Sequence, residues 1–166
     1  MRRLFFLVLM VTGAALSAQE TKMNPEKRTV KWMKQTEIRL AYSIPDSESF
    51  AAELIGGKNW VFEYRYQAAE NPEMTDDEMT EITGFEIAPT LKNRFILKDQ
   101  QLEKAKAYYL LGCFCKDRGY KRINKGIIRG TRINKRVWLI DANLSIDTGS
   151  GMIQKKFKRR FTLSAN

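Results

Sequence analysis

The chain has 166 residues, of which 29 are Lys or Arg and 19 are Asp or Glu, so its formal net charge at pH 7 is +10. It contains no histidine, which excludes Ser-His-Asp and Cys-His catalysis and the zinc sites that need imidazole. Because a Gly-rich phosphate loop of standard spacing is also missing, the sequence predicts no catalytic residues, no metal site and no cofactor.

Residues 1–18 have the features of a cleavable signal peptide. Arg2 and Arg3 supply a positive start, residues 4–16 are apolar, and Ser17 and Ala18 offer small side chains for cleavage. The apolar stretch is shorter than the ~20 residues that cross a bilayer as a helix. No cysteine lies near the cleavage site, so a lipid anchor is not predicted. We therefore expect an exported protein, periplasmic or secreted and not a lipoprotein.

A polar leader and a short helix are predicted next. Residues 19–43 are polar and weakly patterned, and we assign them to a leader that is flexible in part. Residues 44–166 are assigned to a single domain of a size that can bury one core. Acids in the first turn, the i, i+4 pair Phe50 and Leu54, and the stop signal Gly56-Gly57 favour a helix over 46–55.

Residues 60–66 alternate in the manner of a strand. One side is aromatic and is expected to face the core: Trp60, Phe62, Tyr64 and Tyr66. Val61, Glu63 and Arg65 are expected to face water. An acidic surface segment follows over 70–83, where a capping-box pattern predicts a helical turn that ends before Gly84. Two short strands are predicted over 85–87 and 94–98.

The segment from 99 to 120 is open to two interpretations. We favour a helix over 100–118, capped by Asp99, because QQLEKAKA consists of strong helix formers. The alternative is a strand over 105–116, since aromatic and cysteine residues are common in sheets. Residues i and i+2 of a helix point to nearly opposite sides, so we expect Cys113 and Cys115 to be buried, unpaired thiols.

A β-hairpin is predicted over 137–147 and 152–163, with a loop at 148–151. The register that brings apolar residues together pairs Asp147 with Met152, Trp138 with Phe161, Ala142 with Phe157, and Asp141 with Lys158. A shift by one residue would turn every side chain to the other face. A strand over 126–133 is expected to extend this sheet. The sequence RINK occurs at 122–125 and 132–135, too short a repeat to indicate a repeat architecture.

Together these elements predict an α+β fold, in which one long helix packs on the apolar face of an antiparallel sheet. The alternative is an all-β, lipocalin-like barrel, in which the side that carries Trp60 and Trp138 lines a ligand cavity.

Charge is distributed unevenly along the chain. Between residues 46 and 86, eleven acids face two cations, whereas residues 116–160 contain fourteen Lys or Arg and three Asp. Either the two halves neutralise each other in the fold, or the basic half binds an anionic partner. In an exported protein, nucleic acid is disfavoured, and an anionic polysaccharide, a lipid headgroup or an acidic protein is expected instead.

The candidate anion-binding residues lie on the last predicted strand. Lys156, Lys158 and Arg160 project from one side at intervals of roughly 6–7 Å, whereas Lys155 and Arg159 share the apolar side and either reach its rim or line a pocket. The sequence thus predicts a non-enzymatic binding or accessory module. Two alternatives stay open: a carrier of a small apolar ligand, and a hydrolase that uses a pair of carboxylates.

Overall fold

The computed structural model describes residues 23–42, 50–73, 78–90 and 93–164. The strands in this part of the chain are β1 (Lys27–Tyr42), β2 (Phe50–Gln67), β3 (Thr80–Ile87), β4 (Arg94–Lys98), β5 (Tyr108–Gly112), β6 (Gly119–Arg122), β7 (Lys125–Arg132), β8 (Val137–Asp147) and β9 (Met152–Leu163). A five-residue helix, α1 (Gln100–Lys104), lies between β4 and β5. The predicted signal peptide at 1–18 lies outside the described residues.

The nine strands of the described part form one open, mixed sheet in the order β4-β7-β8-β9-β1-β2-β3-β5-β6. Every neighbouring pair is antiparallel except β1 and β9, which run parallel and pair only through Lys31 with Thr162 and Trp32 with Leu163. This short contact divides the sheet into a β8 half-sheet (β4, β7, β8 and β9) and a β2 half-sheet (β1, β2, β3, β5 and β6).

The two half-sheets fold face to face around a ring-rich core. In a flat sheet, β2 and β4 would lie five strand spacings, about 24 Å, apart. The ring of Phe62 on β2 is nevertheless 6.0 Å from that of Phe95 on β4 and 5.9 Å from those of Trp138 and Phe161. The inner faces therefore supply the core, and Leu102 of α1 is buried against it.

A second apolar cluster lies on the outer face of the β2 half-sheet. The register between β1 and β2 shifts between Lys34 and Thr36, where Gln35 has a φ of 52°. Beyond this shift the end of the hairpin folds over the outer face, and Ile38 and Phe50 pack against residues of the neighbouring strands. Val61 and Glu63, which were expected to face water, are therefore buried.

The predicted C-terminal hairpin is confirmed in every pairing. β8 and β9 pair Asp147 with Met152, Trp138 with Phe161, Ala142 with Phe157, and Asp141 with Lys158. The strands predicted over 60–66, 85–87 and 94–98 lie within β2, β3 and β4, and the strand predicted over 126–133 corresponds to β7, which ends at Arg132.

The predicted α+β fold with a long helix over 100–118 is wrong. Only Gln100–Lys104 is helical, and Lys106 has a φ of 48°, which a continuing helix does not allow. Tyr108–Gly112 pairs with β3 instead. The Asp99 side chain accepts a hydrogen bond from the Gly126 backbone N–H rather than capping the helix. The alternative strand over 105–116 is thus correct in part, although the sheet ends at β4 and β6 and is open.

Three further expectations are corrected by the strands. The part of the predicted 46–55 helix that the structure describes, from Phe50 onward, belongs to β2, and residues 46–49 lie outside the described residues. Thr80–Thr83, predicted to end a helical turn, belongs to β3, and residues 74–77 are not described. Lys27–Tyr42, assigned to the polar leader, forms β1, so the folded part begins before residue 44.

The two cysteines form a disulfide, contrary to the expectation of free thiols. Cys113 and Cys115 follow β5 in an irregular turn, with Cα atoms 5.2 Å apart. The expectation failed because it assumed a helix at this point.

Candidate functional site

The five cations predicted on β9 divide between the two faces of the sheet. Lys156, Lys158 and Arg160 alternate with buried or inward residues and are exposed on the outer face. The pairing with β8 places them opposite Asn143, Asp141 and Leu139, respectively. Lys155 and Arg159 lie on the inner side of the same strand, as the alternation predicted.

The outward cations belong to a larger charged surface. Arg129 on β7 is also exposed, and it pairs with Asp141, the residue that pairs with Lys158 on the other side. We call Lys156, Lys158, Arg160 and Arg129 the outer basic face. In the described part of the chain, no salt bridge joins any of the four to a carboxylate. Asp141 thus supplies one negative charge among four positive charges.

Arg129 was not among the predicted site residues. The alternation of the predicted 126–133 strand could have placed it on the outer side. That it lies near Lys158, however, follows only from the pairing of β7, β8 and β9.

The inward cations lie in a cleft where β1 and β9 diverge. The cleft has a volume of about 280 Å³, and besides Lys155 and Arg159 it is lined by Arg28, Tyr64 and Glu81, and also by Lys156 of the outer basic face. Beyond the two paired residues of the β1–β9 contact, β9 continues across the inner face of the β2 half-sheet. Tyr64 and Phe157 stack there with ring centroids 4.7 Å apart. We call this the β1–β9 cleft.

Much of the charge in the cleft is already paired. Lys155 Nζ lies 2.5 Å from Glu81 Oε1 and 5.6 Å from the centroid of the buried Tyr109 ring. Arg28 forms a salt bridge with Glu26 at 2.9 Å. Burial, and next the negative charge of Glu81, raise the pKa of Tyr109 above its ordinary value, so this phenol stays neutral.

Buried carboxylates in the described residues are likewise bound to lysines. Glu63 and Lys31 lie 3.3 Å apart, and Glu86 and Lys106 lie 2.9 Å apart. Among the described salt bridges, only Lys155–Glu81 joins the basic part of the chain (116–160) to the acidic part (46–86), and none involves the outer basic face. Within the described ranges, no three Cys, Asp or Glu side chains are grouped where they could hold a metal ion.

The interior expected for an apolar ligand is filled by rings. Trp60 and Trp138, the side chains that would line a barrel cavity, lie 6.0 Å apart, and Trp60 lies 5.4 Å from Trp32. This packing gives no support to a ligand cavity at that place.

Comparison with protein-family models, with curated proteins and with solved structures finds no match for this chain. Among the described residues, no helix has the length and apolar character required to cross a bilayer.

Proposed function

We propose that this chain is an exported, non-enzymatic binding module whose outer basic face holds an anionic polysaccharide. The proposal rests on one observation: Lys156, Lys158 and Arg160 form an exposed row along β9, and none of them forms a salt bridge with a carboxylate of the described residues. A linear row of charges about 6–7 Å apart suits a linear polymer that carries regularly spaced anions.

Two other features support this proposal. The chain begins with the pattern of a signal peptide, and the disulfide between Cys113 and Cys115 suits an oxidising compartment, in which disulfides persist. The sheet itself holds the charged row in place, because β9 pairs with β8 from Met152 to Thr162.

Retention on a column of heparin, a sulfated polysaccharide, tests this function. We expect the protein to bind at low salt and to be released as salt rises, because exposed charge pairs are screened. The variant K156Q/K158Q/R160Q is expected to bind about tenfold more weakly, since three exposed ion pairs contribute roughly 0.5 kcal/mol each.

The matched control is K104Q/K116Q/R118Q. It removes the same charge from three exposed positions on α1 and the β5–β6 turn, outside the outer basic face. Equal loss of retention in both variants would show that only net charge matters and would contradict the proposal. Binding to vesicles rich in anionic lipid, without binding to heparin, would show that the partner is a membrane surface and not a polysaccharide.

A further inference from the structure

A second concentration of positive charge lies beside the middle of β1, away from the β1–β9 cleft. It is an open pocket of about 700 Å³, beside the turn between β7 and β8. Its charged and amide-bearing lining consists of Lys34, Arg94, Arg132, Lys135, Asn93 and Asn134. We call it the turn pocket. Arg28 in the cleft and Lys34 in the turn pocket are six residues apart on one strand, a distance of about 20 Å.

The second RINK segment builds one wall of the turn pocket. Arg132 ends β7, and its Nε donates a hydrogen bond to the Asn134 carbonyl at 3.2 Å, which holds the side chain against the turn. The Arg132 backbone N–H donates to the Asn93 carbonyl at 2.8 Å and so joins this turn to the start of β4. The backbone thus fixes the positions from which Arg94 and Arg132 extend.

Two of the cations lie over the indole rings of adjacent tryptophans. The Arg132 guanidinium is 5.7 Å from the Trp60 ring centroid, and Lys34 Nζ is 5.6 Å from that of Trp32. The two rings are 5.4 Å apart. Cation–π contacts of this kind orient a charge without neutralising it. The rings therefore position two positive groups of the same pocket, and both charges remain available to bind an anion.

Among the described residues, no carboxylate contributes to the lining of this pocket. In the part of the chain that the structure describes, none of its four cations takes part in a salt bridge. Lys155 and Lys106, by contrast, are each paired with a glutamate. Four like charges in one concave pocket repel one another, and a bound anion removes that repulsion.

We infer that the turn pocket binds a small molecule that carries two or more phosphate or sulfate groups. Arg94 and Arg132 present the planar guanidinium groups that donate paired hydrogen bonds to tetrahedral oxyanions. Lys34 and Lys135 add point charges, and Asn93 and Asn134 offer side-chain amides for neutral oxygens. A volume of about 700 Å³ is within the usual range for small-molecule sites. This site uses none of the residues of the outer basic face, although Arg94 lies in the same cross-strand row as Arg160, three strands away.

The test is a calorimetric titration of the full chain with inorganic pyrophosphate and with sucrose octasulfate. We expect saturable one-to-one binding that weakens as salt rises, together with a change in tryptophan fluorescence, because Arg132 and Lys34 lie over Trp60 and Trp32. The variants Arg132→Gln and Arg94→Gln should each weaken binding at least fivefold. Lys135→Gln, on the exposed turn, provides a second test if Arg132→Gln fails to fold.

The variant K156Q/K158Q/R160Q is the control, since it changes the outer basic face and leaves the turn pocket intact. It should bind pyrophosphate with unchanged affinity. Loss of pyrophosphate binding in this variant, but not in Arg132→Gln, would overturn the inference, and so would the absence of saturable binding to both probes. Titration with phosphatidic-acid vesicles then distinguishes the sources: binding to them identifies a lipid headgroup, and binding to the free probes alone identifies a soluble ligand.

Discussion

Glu86 connects the bent end of the β1–β2 hairpin to the rest of the sheet. Its carboxylate is buried on the outer face of β3, where it accepts hydrogen bonds from the Ile38 backbone N–H at 2.7 Å and from Asn59 Nδ2 at 3.1 Å. Lys106 Nζ lies 2.9 Å from the same carboxylate and donates to the Ile38 carbonyl at 2.7 Å. Both polar backbone groups of Ile38 are thereby satisfied by side chains.

The substitution Glu86→Ala should lower the free energy of unfolding by about 2 kcal/mol, because the Ile38 backbone N–H and Asn59 Nδ2 lose their buried acceptor, whereas Lys106 is partly exposed and stays solvated. Urea unfolding followed by circular dichroism measures this loss. The matched control is Glu53→Ala, which breaks the exposed Arg39–Glu53 pair at the same hairpin end and should cost well under 1 kcal/mol. Equal losses in the two variants would show that burying the Glu86 carboxylate contributes nothing of its own.

Two glycines in the sheet are covered by aromatic rings from the paired strand. A Cβ atom at Gly84 would lie 2.4 Å from the Tyr108 ring, and one at Gly130 would lie 2.0 Å from the Phe95 ring. Both pairs face each other in register. Each ring occupies the space that a side chain would need, so these strands pack closely although one residue of each pair is small.

For β3 and β5 this predicts that Gly84→Ala destabilises the fold by about 2 kcal/mol through overpacking. Because the clash requires the ring, the double variant with Tyr108→Ala should lose less than the sum of the two single losses. Gly112→Ala is the control at the end of β5, since its nearest neighbour, the Thr80 carbonyl oxygen, would be at an ordinary 3.6 Å. Strict additivity of the two losses would contradict the proposed contact.

The sequence predicts a strand well where the alternation of apolar and polar residues within the segment matches the buried and exposed faces of that strand in the sheet. Trp138, Ile140 and Ala142 alternate with more polar residues, and a turn separates them from a second alternating segment, so even the register of β8 and β9 was correct. The helix over 100–118 was wrong: its helix formers run only to Ala107 and the helix ends at Lys104, whereas Tyr108–Gly112 gains its hydrogen bonds from β3, over 20 residues away. The propensity of a residue for helix or strand does not report the hydrogen bonds that a distant strand supplies.

The same reasoning explains which parts of the sites were found. Lys156, Lys158 and Arg160 were identified, because one strand carries all three and alternation gives their side. The turn pocket was not found, because Lys34, Arg94 and Arg132 belong to β1, β4 and β7, which only the folding of the sheet brings together. The repeated RINK was the one local signal, and its cations form a pocket only together with residues of β1 and β4.

At the scale of the whole molecule, the two half-sheets depend on a narrow joint at Trp32. Trp32 Nε1 donates a hydrogen bond to the Arg136 carbonyl at 2.9 Å, and the Trp32 carbonyl accepts one from the Ser164 backbone N–H at 2.9 Å. The Leu163 N–H also donates to the Arg136 carbonyl, at 2.8 Å. One residue thus links β1, the β7–β8 turn and the end of β9, and it also forms the base under Lys34 in the turn pocket.

Replacing this indole by a smaller ring tests the joint. Trp32→Phe loses ring volume and the hydrogen bond to Arg136, and it should destabilise the protein by about 1 kcal/mol more than Trp138→Phe. Trp138 is the matched control because it is equally buried, and its Nε1 has no hydrogen-bond partner among the described residues. Hydrogen exchange provides a local readout: the amides of Leu163 and Ser164 should exchange faster in Trp32→Phe and stay protected in Trp138→Phe. Equal destabilisation with unchanged exchange at both amides would mean that the inner core alone holds the half-sheets together.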